Sequence, residues 1–298
     1  DGLRRTPAAI PPKYFYDALG CALFAAICEL PEYYPTRTER AIFATHRAAI
    51  ATAIGRGTQL VDLGAGDCRK AEAWLPVVAP ARYVAVDFAG DEIARALARL
   101  APEFPAIEML GIVADFTRGL DLRYDLGDTP VTFFYPGSSI GNFAPADALA
   151  FLRDLHLHCV GRDDSGLLIG VDTRKAKARL DAAYDDSLGV TAAFNRNVLH
   201  HVNRLLGTDF RPEAFAHVAF YDEVAGRIEM HLEARTAQTV RLPDAVRTFA
   251  AGERIHTENS YKYDPGAFTA MLQAAGFDRV RCWQDDAGDF AVFHASAR

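Results

Sequence analysis

From residue 59 to residue 172, short apolar runs alternate with amphipathic ones. "QLVDLG" (59–64), "RYVAVDF" (82–88), "EMLGIVADF" (108–116), "PVTFFYPG" (130–137) and "GLLIGVD" (166–172) read as buried strands. Residues 68–78, 91–100 and 145–159 read as the helices between them, with "DEIARALARL" the clearest amphipathic repeat. Apolar strands joined through helices predict a parallel sheet covered on both faces, an α/β fold.

The pattern breaks after this. Residues 174–206 read as largely helical, and 214–262 as antiparallel strands: "FAHVAFYD", "GRIEMHLEARTAQTVRL" and "ERIHTENSYKY". In "RIEMHLEA" apolar and polar side chains alternate, as on a half-buried strand. A helix over 265–277 closes at Gly276, and "RVRCWQDDAGDFAVFHASA" predicts a hairpin turning at Asp286–Gly288. The first ~50 residues, rich in aromatics and proline, fit neither pattern and are expected to pack with the β-rich insertion. Two domains follow: a doubly wound core over 45–180 and 263–298, and a second α+β domain over 1–44 and 181–262.

Composition narrows the function classes. The chain has 298 residues, half of them hydrophobic, with a net charge of -7 and a pI near 5.7. It has no Lys/Arg run and lacks the electrostatic footprint of a nucleic-acid binder. The five cysteines form no C-x-x-C pair, which argues against a disulfide framework or zinc knuckle and fits a reducing, cytoplasmic compartment. No apolar segment approaches the ~20 residues that span a bilayer, and the opening "DGLRRTPAAIPP" lacks the apolar core of a signal peptide. The adjacent histidines of "NRNVLHHVNR" point in different directions on a helix, and His156 and His158 miss the i, i+4 spacing, so no metal site is expected.

The first strand runs into "DLGAGD", a G-x-G turn with Arg69 where the dinucleotide fingerprint has its third glycine. That weakens a nicotinamide reading, because a pyrophosphate needs the close helix N-terminus and a cofactor without phosphate does not. Asp87 ends the second strand about 20 residues on, where an acid accepts from ribose hydroxyls. Asp115 ends the third, placed to accept from an adenine amino group, with Phe116 to pack on the ring. Asp62 or its neighbours would lie near a methionine end. Acids at successive strand ends, with an antiparallel final strand, predict S-adenosylmethionine on a class I (Rossmann-like) methyltransferase sheet.

Longer motifs carry a more specific resemblance. "IPPKYFYDALG" (10–20), "LPEYYPTRTE" (30–39), "GSSIGNF" (137–143), "YDDSLGVTAAFNRNVL" (184–199), "RIEM" (227–230) and "TENSYK" (257–262) resemble the histidine-specific Nα-methyltransferases of ergothioneine biosynthesis over nearly the whole chain. The resemblance implies cofactor positions at Gly64, Lys70, Asp87, Asp115 and Phe116. It implies histidine positions at Tyr33, Asn142, Tyr184, Glu258 and Ser260, with Met230 lining the imidazole pocket and Tyr16 near the amine. Asn259, where relatives often have an apolar residue, and "GDCRK", where they have a more Ser/Thr-rich loop, depart from the pattern.

These residue types suit the implied chemistry. The nucleophile must be a neutral amine, and no strong general base stands out; Tyr16 is the best candidate to hold the amine or pass its proton through water. An Asn142 amide and a Tyr184 hydroxyl would bind the substrate carboxylate by hydrogen bonds with no cation. Glu258 and Ser260, at i, i+2, share one face of a strand, and together read both nitrogens of an imidazole. The expected function is S-adenosylmethionine-dependent trimethylation of L-histidine to hercynine by a monomer acting without nucleic acid or membrane. The alternative keeps the chemistry and takes another aromatic amino acid, such as a tryptophan-type amine.

Overall fold

The computed structural model describes residues 2–122 and 124–297. Its elements begin with β1 (Ala8–Ala9), α1 (Ala18–Cys28), α2 (Pro35–Thr45), α3 (Arg47–Ile54), β2 (Gln59–Leu63), α4 (Arg69–Glu72), α5 (Leu75–Val78), β3 (Arg82–Asp87), α6 (Gly90–Leu100), β4 (Glu108–Val113), β5 (Val131–Tyr135), α7 (Pro145–Cys159) and β6 (Gly166–Asp172). They continue with α8 (Lys177–Tyr184), α9 (Val190–Leu206), β7 (Phe215–Asp222), β8 (Arg227–Ala234), β9 (Gln238–Leu242), β10 (Ala245–Phe249), β11 (Arg254–Tyr261), α10 (Pro265–Ala275), β12 (Asp278–Gln284) and β13 (Phe290–Ser296). Among the described residues no helix is long and apolar enough to cross a membrane.

The chain forms two compact units. One joins the segment up to Arg37 with Arg174–Lys262; the other joins Thr38–Thr173 with the segment from Tyr263 onward. These boundaries replace the expected ones after residues 44 and 180, and part-buried polar contacts favour them. Within the second unit, the carboxylate of Glu39 on α2 accepts from Lys70 Nζ at 2.8 Å and from the Gly137 amide at 2.7 Å. Within the first, Lys175 Nζ donates to the Tyr34 hydroxyl at 2.7 Å and Lys177 Nζ to the Tyr221 carbonyl at 2.9 Å.

The second unit is built on a seven-stranded sheet of order β12-β13-β6-β5-β2-β3-β4. β2 to β6 pair in parallel, and β13 runs antiparallel to both β6 and β12. Every residue of β2, β5 and β6 is buried, as their unbroken apolar runs require. From β2 the chain steps outward to β4, then returns and steps the other way through β5 and β6. That reversal opens a crevice at the carboxyl ends of β2 and β5, where ligands of doubly wound sheets bind.

Two details differ from the sequence reading of this unit. The helix expected over 68–78 is two short helices, because Pro76 has no amide hydrogen to continue α4 and instead opens α5. β4 ends at Val113, so Asp115 lies past the strand, just before a 3-10 turn over Phe116–Arg118. The hairpin of β12 and β13 turns where expected, closed from the Gly288 amide to the Asp285 carbonyl.

The first unit has a four-stranded sheet of order β1-β11-β8-β7 and a β9–β10 hairpin. The single long strand expected over "GRIEMHLEARTAQTVRL" is β8 and β9, which belong to different sheets. The N-terminal segment joins this unit directly: Ala8 and Ala9 pair in parallel with Ile255 and His256. Phe15, Ile27 and Tyr34 are buried with Leu180, Phe194, Val198, Ile228 and Leu232. The helical stretch 174–206 breaks between α8 and α9 at Gly189, which takes a left-handed backbone.

Candidate active site

The glycine loop of the second unit follows directly from β2. Gly64 (φ 71°) and Gly66 (φ 51°) both occupy the left-handed region, which L side chains rarely adopt. A Cβ on Gly66 would meet nothing within 4 Å, and one on Gly64 only the Phe116 ring at 3.7 Å. The backbone is therefore bare on that side, as a cradle for an approaching nucleoside requires. Asp87, at the end of β3 and only 8% exposed, holds the loop from below. Its Oδ2 accepts from the Gly66 amide and its Oδ1 from the Ala89 amide, both at 3.0 Å. Each carboxylate oxygen has a second lone pair, so acceptor capacity for ribose hydroxyls remains.

The other cofactor candidates gather around the same sheet. The half-buried Phe116 ring stands 5.9 Å from both Tyr135 and Phe151, which fix its plane against the loop. Asp115, half-buried, accepts from the Thr117 hydroxyl. Lys70 is steered by Glu39, a nearly buried carboxylate (2% exposed) that sequence reasoning missed. A Cβ on Gly137 would lie 2.9 Å from Lys70 Nζ, so that glycine lets the ammonium approach the loop after β5. Asp62, which with its neighbours was expected near a methionine end, is bonded within the sheet. It is 2% exposed and accepts from the Tyr83 hydroxyl at 2.7 Å, and burial pushes its carboxyl up to about 7. Asn142 is half-buried in a 3-10 turn over Ser139–Asn142, which follows β5 in this unit.

The remaining candidates all fall in the first unit. Tyr16 sits between a 3-10 turn over Pro12–Phe15 and Asp17, whose side chain caps α1 through the Gly20 amide at 2.7 Å. A Cβ on Gly20 would come within 1.7 Å of the Phe15 carbonyl oxygen, so only glycine allows the chain to fold back there. Edge-on aromatic contacts then run from Tyr16 to Phe24 (5.7 Å), Phe24 to Tyr33 (6.2 Å) and Tyr33 to Tyr184 (6.1 Å). Phe24 and Phe194, the latter 5.8 Å from Tyr16, are members that the sequence did not single out.

Glu258 and Ser260 come from β11, and a bulge decides which way they face. The register shifts between His256 and Glu258. Without that extra residue, the inward phase of Ile255 would continue through Thr257, Asn259 and Tyr261. With it, Glu258 opposes Met230 and Ser260 opposes Ile228 on the buried side of β8. Glu258, Ser260 and Met230 are 7%, 4% and 2% exposed. Asn259 faces the other way, its Oδ1 2.9 Å from His256 Nε2, so that departure lies off the buried face.

Burial dominates the electrostatics of this group. It pushes the Glu258 carboxyl up to about 7, against the opposing pull of Lys262. Burial also raises the phenols of Tyr16 and Tyr33 well above their ordinary value, and the charge of Glu258 adds to both shifts. Tyr16 therefore stays protonated near neutral pH, which suits a hydrogen-bonding group and not a base. Lys262 closes the "TENSYK" stretch that begins at the bulge. It is 2% exposed, with Nζ 2.8 Å from Ser260 Oγ, 3.0 Å from the Tyr184 hydroxyl and 4.7 Å from the centre of the Tyr184 ring. A cation thus stands against Tyr184, where the sequence reading places none.

Comparisons with known proteins show the family. The family described as histidine-specific methyltransferases, S-adenosylmethionine-dependent, matches residues 1–297. The chain is 44% identical to the histidine N-alpha-methyltransferase of Mycolicibacterium smegmatis, over 98% of this chain and 91% of that protein. It is 31% identical to ergothioneine biosynthesis protein 1 of Neurospora crassa, over 93% of this chain and 32% of that longer one. The solved structure of the CcbJ methyltransferase from Streptomyces caelestis shares the fold at a TM-score of 0.50 and 12% identity, over 86% of this chain and 89% of that one. With the bare glycine loop, its acid at the end of β3 and the polar pair on β11 in place, the chain belongs to the histidine-specific, S-adenosylmethionine-dependent methyltransferases.

Proposed function

We propose that the protein transfers three methyl groups to the α-amino nitrogen of L-histidine, giving hercynine, the first step of ergothioneine biosynthesis. The observation that carries this reading is the placement of Glu258 and Ser260 side by side on the buried face of β11, opposite Met230 and Ile228. A carboxylate and a hydroxyl set in apolar surroundings reward a ring with one donor and one acceptor. A phenyl or indole would leave one or both groups unpaired, at a cost of roughly 1–3 kcal/mol each. The relatives, one a histidine methyltransferase and one an ergothioneine biosynthesis protein, support the same substrate.

Each residue then has a limited task. Gly64 and Gly66 admit the cofactor, Asp87 accepts from its ribose, Asp115 and Phe116 meet the adenine, and Lys70 faces the carboxylate of its methionine part. When bound, S-adenosylmethionine supplies a methyl group on sulfur with the leaving group already activated. The protein has mainly to orient and desolvate. Asn142 offers an amide donor to the histidine carboxylate and Tyr33 is a further histidine position, while Tyr184, whose only O–H is given to Ser260 Oγ, acts on the histidine through that ring reader. Tyr16, with its phenol protonated, accepts a hydrogen bond from the amine and leaves the lone pair free. The amine must be neutral to react and is mostly protonated near pH 7, so its proton leaves through water. We take the chain to act as a monomer in the cytoplasm, where its five cysteines stay reduced.

A thermal-shift screen tests the substrate. With S-adenosylhomocysteine present, L-histidine is expected to raise the unfolding temperature more than any other proteinogenic amino acid, since a ligand at 100 times its Kd stabilises by about 2.7 kcal/mol. A larger shift with tryptophan would favour the tryptophan-type alternative.

A further inference from the structure

Lys262 is the buried charge that this account of catalysis leaves without a task. Its ammonium can only donate. It lies 2.8 Å from Ser260 Oγ and 3.0 Å from the Tyr184 hydroxyl, and that hydroxyl donates to the same Ser260 Oγ at 2.9 Å. A serine hydroxyl has two acceptor lone pairs and one donor hydrogen. Here both lone pairs are taken, one by an ammonium and one by a phenol, which is a better donor than an aliphatic alcohol. The only hydrogen-bonding capacity left on Ser260 is its own O–H. Glu258, two residues away on the same buried face, can when ionised only accept.

We propose that Lys262 is a positioning residue that fixes the polarity of the ring reader, holding Ser260 as a donor opposite the acceptor Glu258. The inference rests on the histidine reading above and deepens it. A pocket with one committed donor and one acceptor selects the neutral imidazole, which has one N–H and one bare nitrogen. An imidazolium, with two N–H groups, meets the Ser260 hydrogen head-on. Without Lys262, Ser260 could rotate its hydrogen away from the ring, and the preference for a bare ring nitrogen would fade. Lys262 touches the ring only through Ser260, so its effect should appear in the affinity for histidine and in KM, with kcat little changed.

The test uses the full chain, calorimetry and two ligands: L-histidine and a pyrrolylalanine, in which the acceptor ring nitrogen is replaced by C–H. Lys262→Met, with Lys262→Gln as a second variant should the first not fold, is expected to weaken histidine binding on the order of tenfold. Pyrrolylalanine and S-adenosylhomocysteine should bind as to wild type. In a Ser260→Ala background, where the reader is already gone, the same substitution should add almost nothing. Equal losses for histidine and pyrrolylalanine would mean that Lys262 merely supports the fold, and would overturn the inference. An undiminished loss in the Ser260→Ala background would do the same. A wild-type protein that binds S-adenosylhomocysteine but no histidine would overturn the substrate reading, and this inference with it.

Discussion

Replacing Glu258 with alanine is expected to lower kcat/KM for histidine on the order of 100-fold, because it removes the charged acceptor of the ring N–H from a dry site. Glu258→Gln should retain part of the activity, since its amide oxygen still accepts. Indole substrates should lose little, and opening the floor of the pocket with Met230→Val should raise their share further. An unchanged kcat/KM for histidine in Glu258→Ala would place the ring elsewhere. The same carboxyl gives a pH signature in the unliganded protein. Burial lifts its pKa from 4.5 to about 7, so the folded state holds the proton more tightly than the unfolded state does. Its contribution to stability is therefore present below about 4.5 and is lost as pH rises to about 7. The fall of the unfolding temperature over that window should be shallower in Glu258→Gln. It should not vanish, because Asp62, also raised to about 7, contributes in the same direction.

Asp87→Ala is expected to weaken S-adenosylhomocysteine binding by about 1.5–3 kcal/mol through loss of the ribose acceptor, or roughly 10- to 150-fold. The structure adds a second cost. The Gly66 and Ala89 amides lose their shared partner, and the cradle loses the group that holds its shape. Asp87→Asn keeps a carbonyl for one of those amides and should bind more tightly than the alanine variant. Calorimetry on the folded variants measures both. An affinity equal to wild type in Asp87→Ala would remove the end of β3 from the cofactor site.

Much of the core was legible because its information is local. Buried parallel strands are continuous apolar runs, and β2, β3, β5 and β6 fall within two residues of where those runs lie. The spacing of Glu258 and Ser260 placed them on one face, but not on which one: that depends on a one-residue bulge that alternation cannot reveal. Pro76 was visible, yet its effect of splitting a helix was overlooked. Glu39 and Lys262 escaped for a different reason. A charged side chain reads as solvated surface until the chain folds a partner onto it. Distant partners hold them: Lys70 and Gly137 for Glu39, and Tyr184, beside the nearby Ser260, for Lys262. The N-terminal segment was expected to pack with the β-rich insertion, but its partner strand, β11, comes some 250 residues later and could not be read from local pattern.

The central claim is that one nitrogen of histidine receives three methyl groups. The carboxylate and ring anchors do not touch the amine, so they survive each transfer, and a partly methylated amine keeps a lone pair when neutral. Only the quaternary product has none, and it has also lost every N–H that could bond to Tyr16. The most direct measurement is mass spectrometry of the products formed from L-histidine with excess S-adenosylmethionine, repeated with Nα,Nα-dimethylhistidine as the starting substrate. The account predicts hercynine as the end product of both reactions, with mono- and dimethyl species only in passing. A monomethyl compound that persists at long times, methylation of a ring nitrogen, or refusal of dimethylhistidine would contradict it.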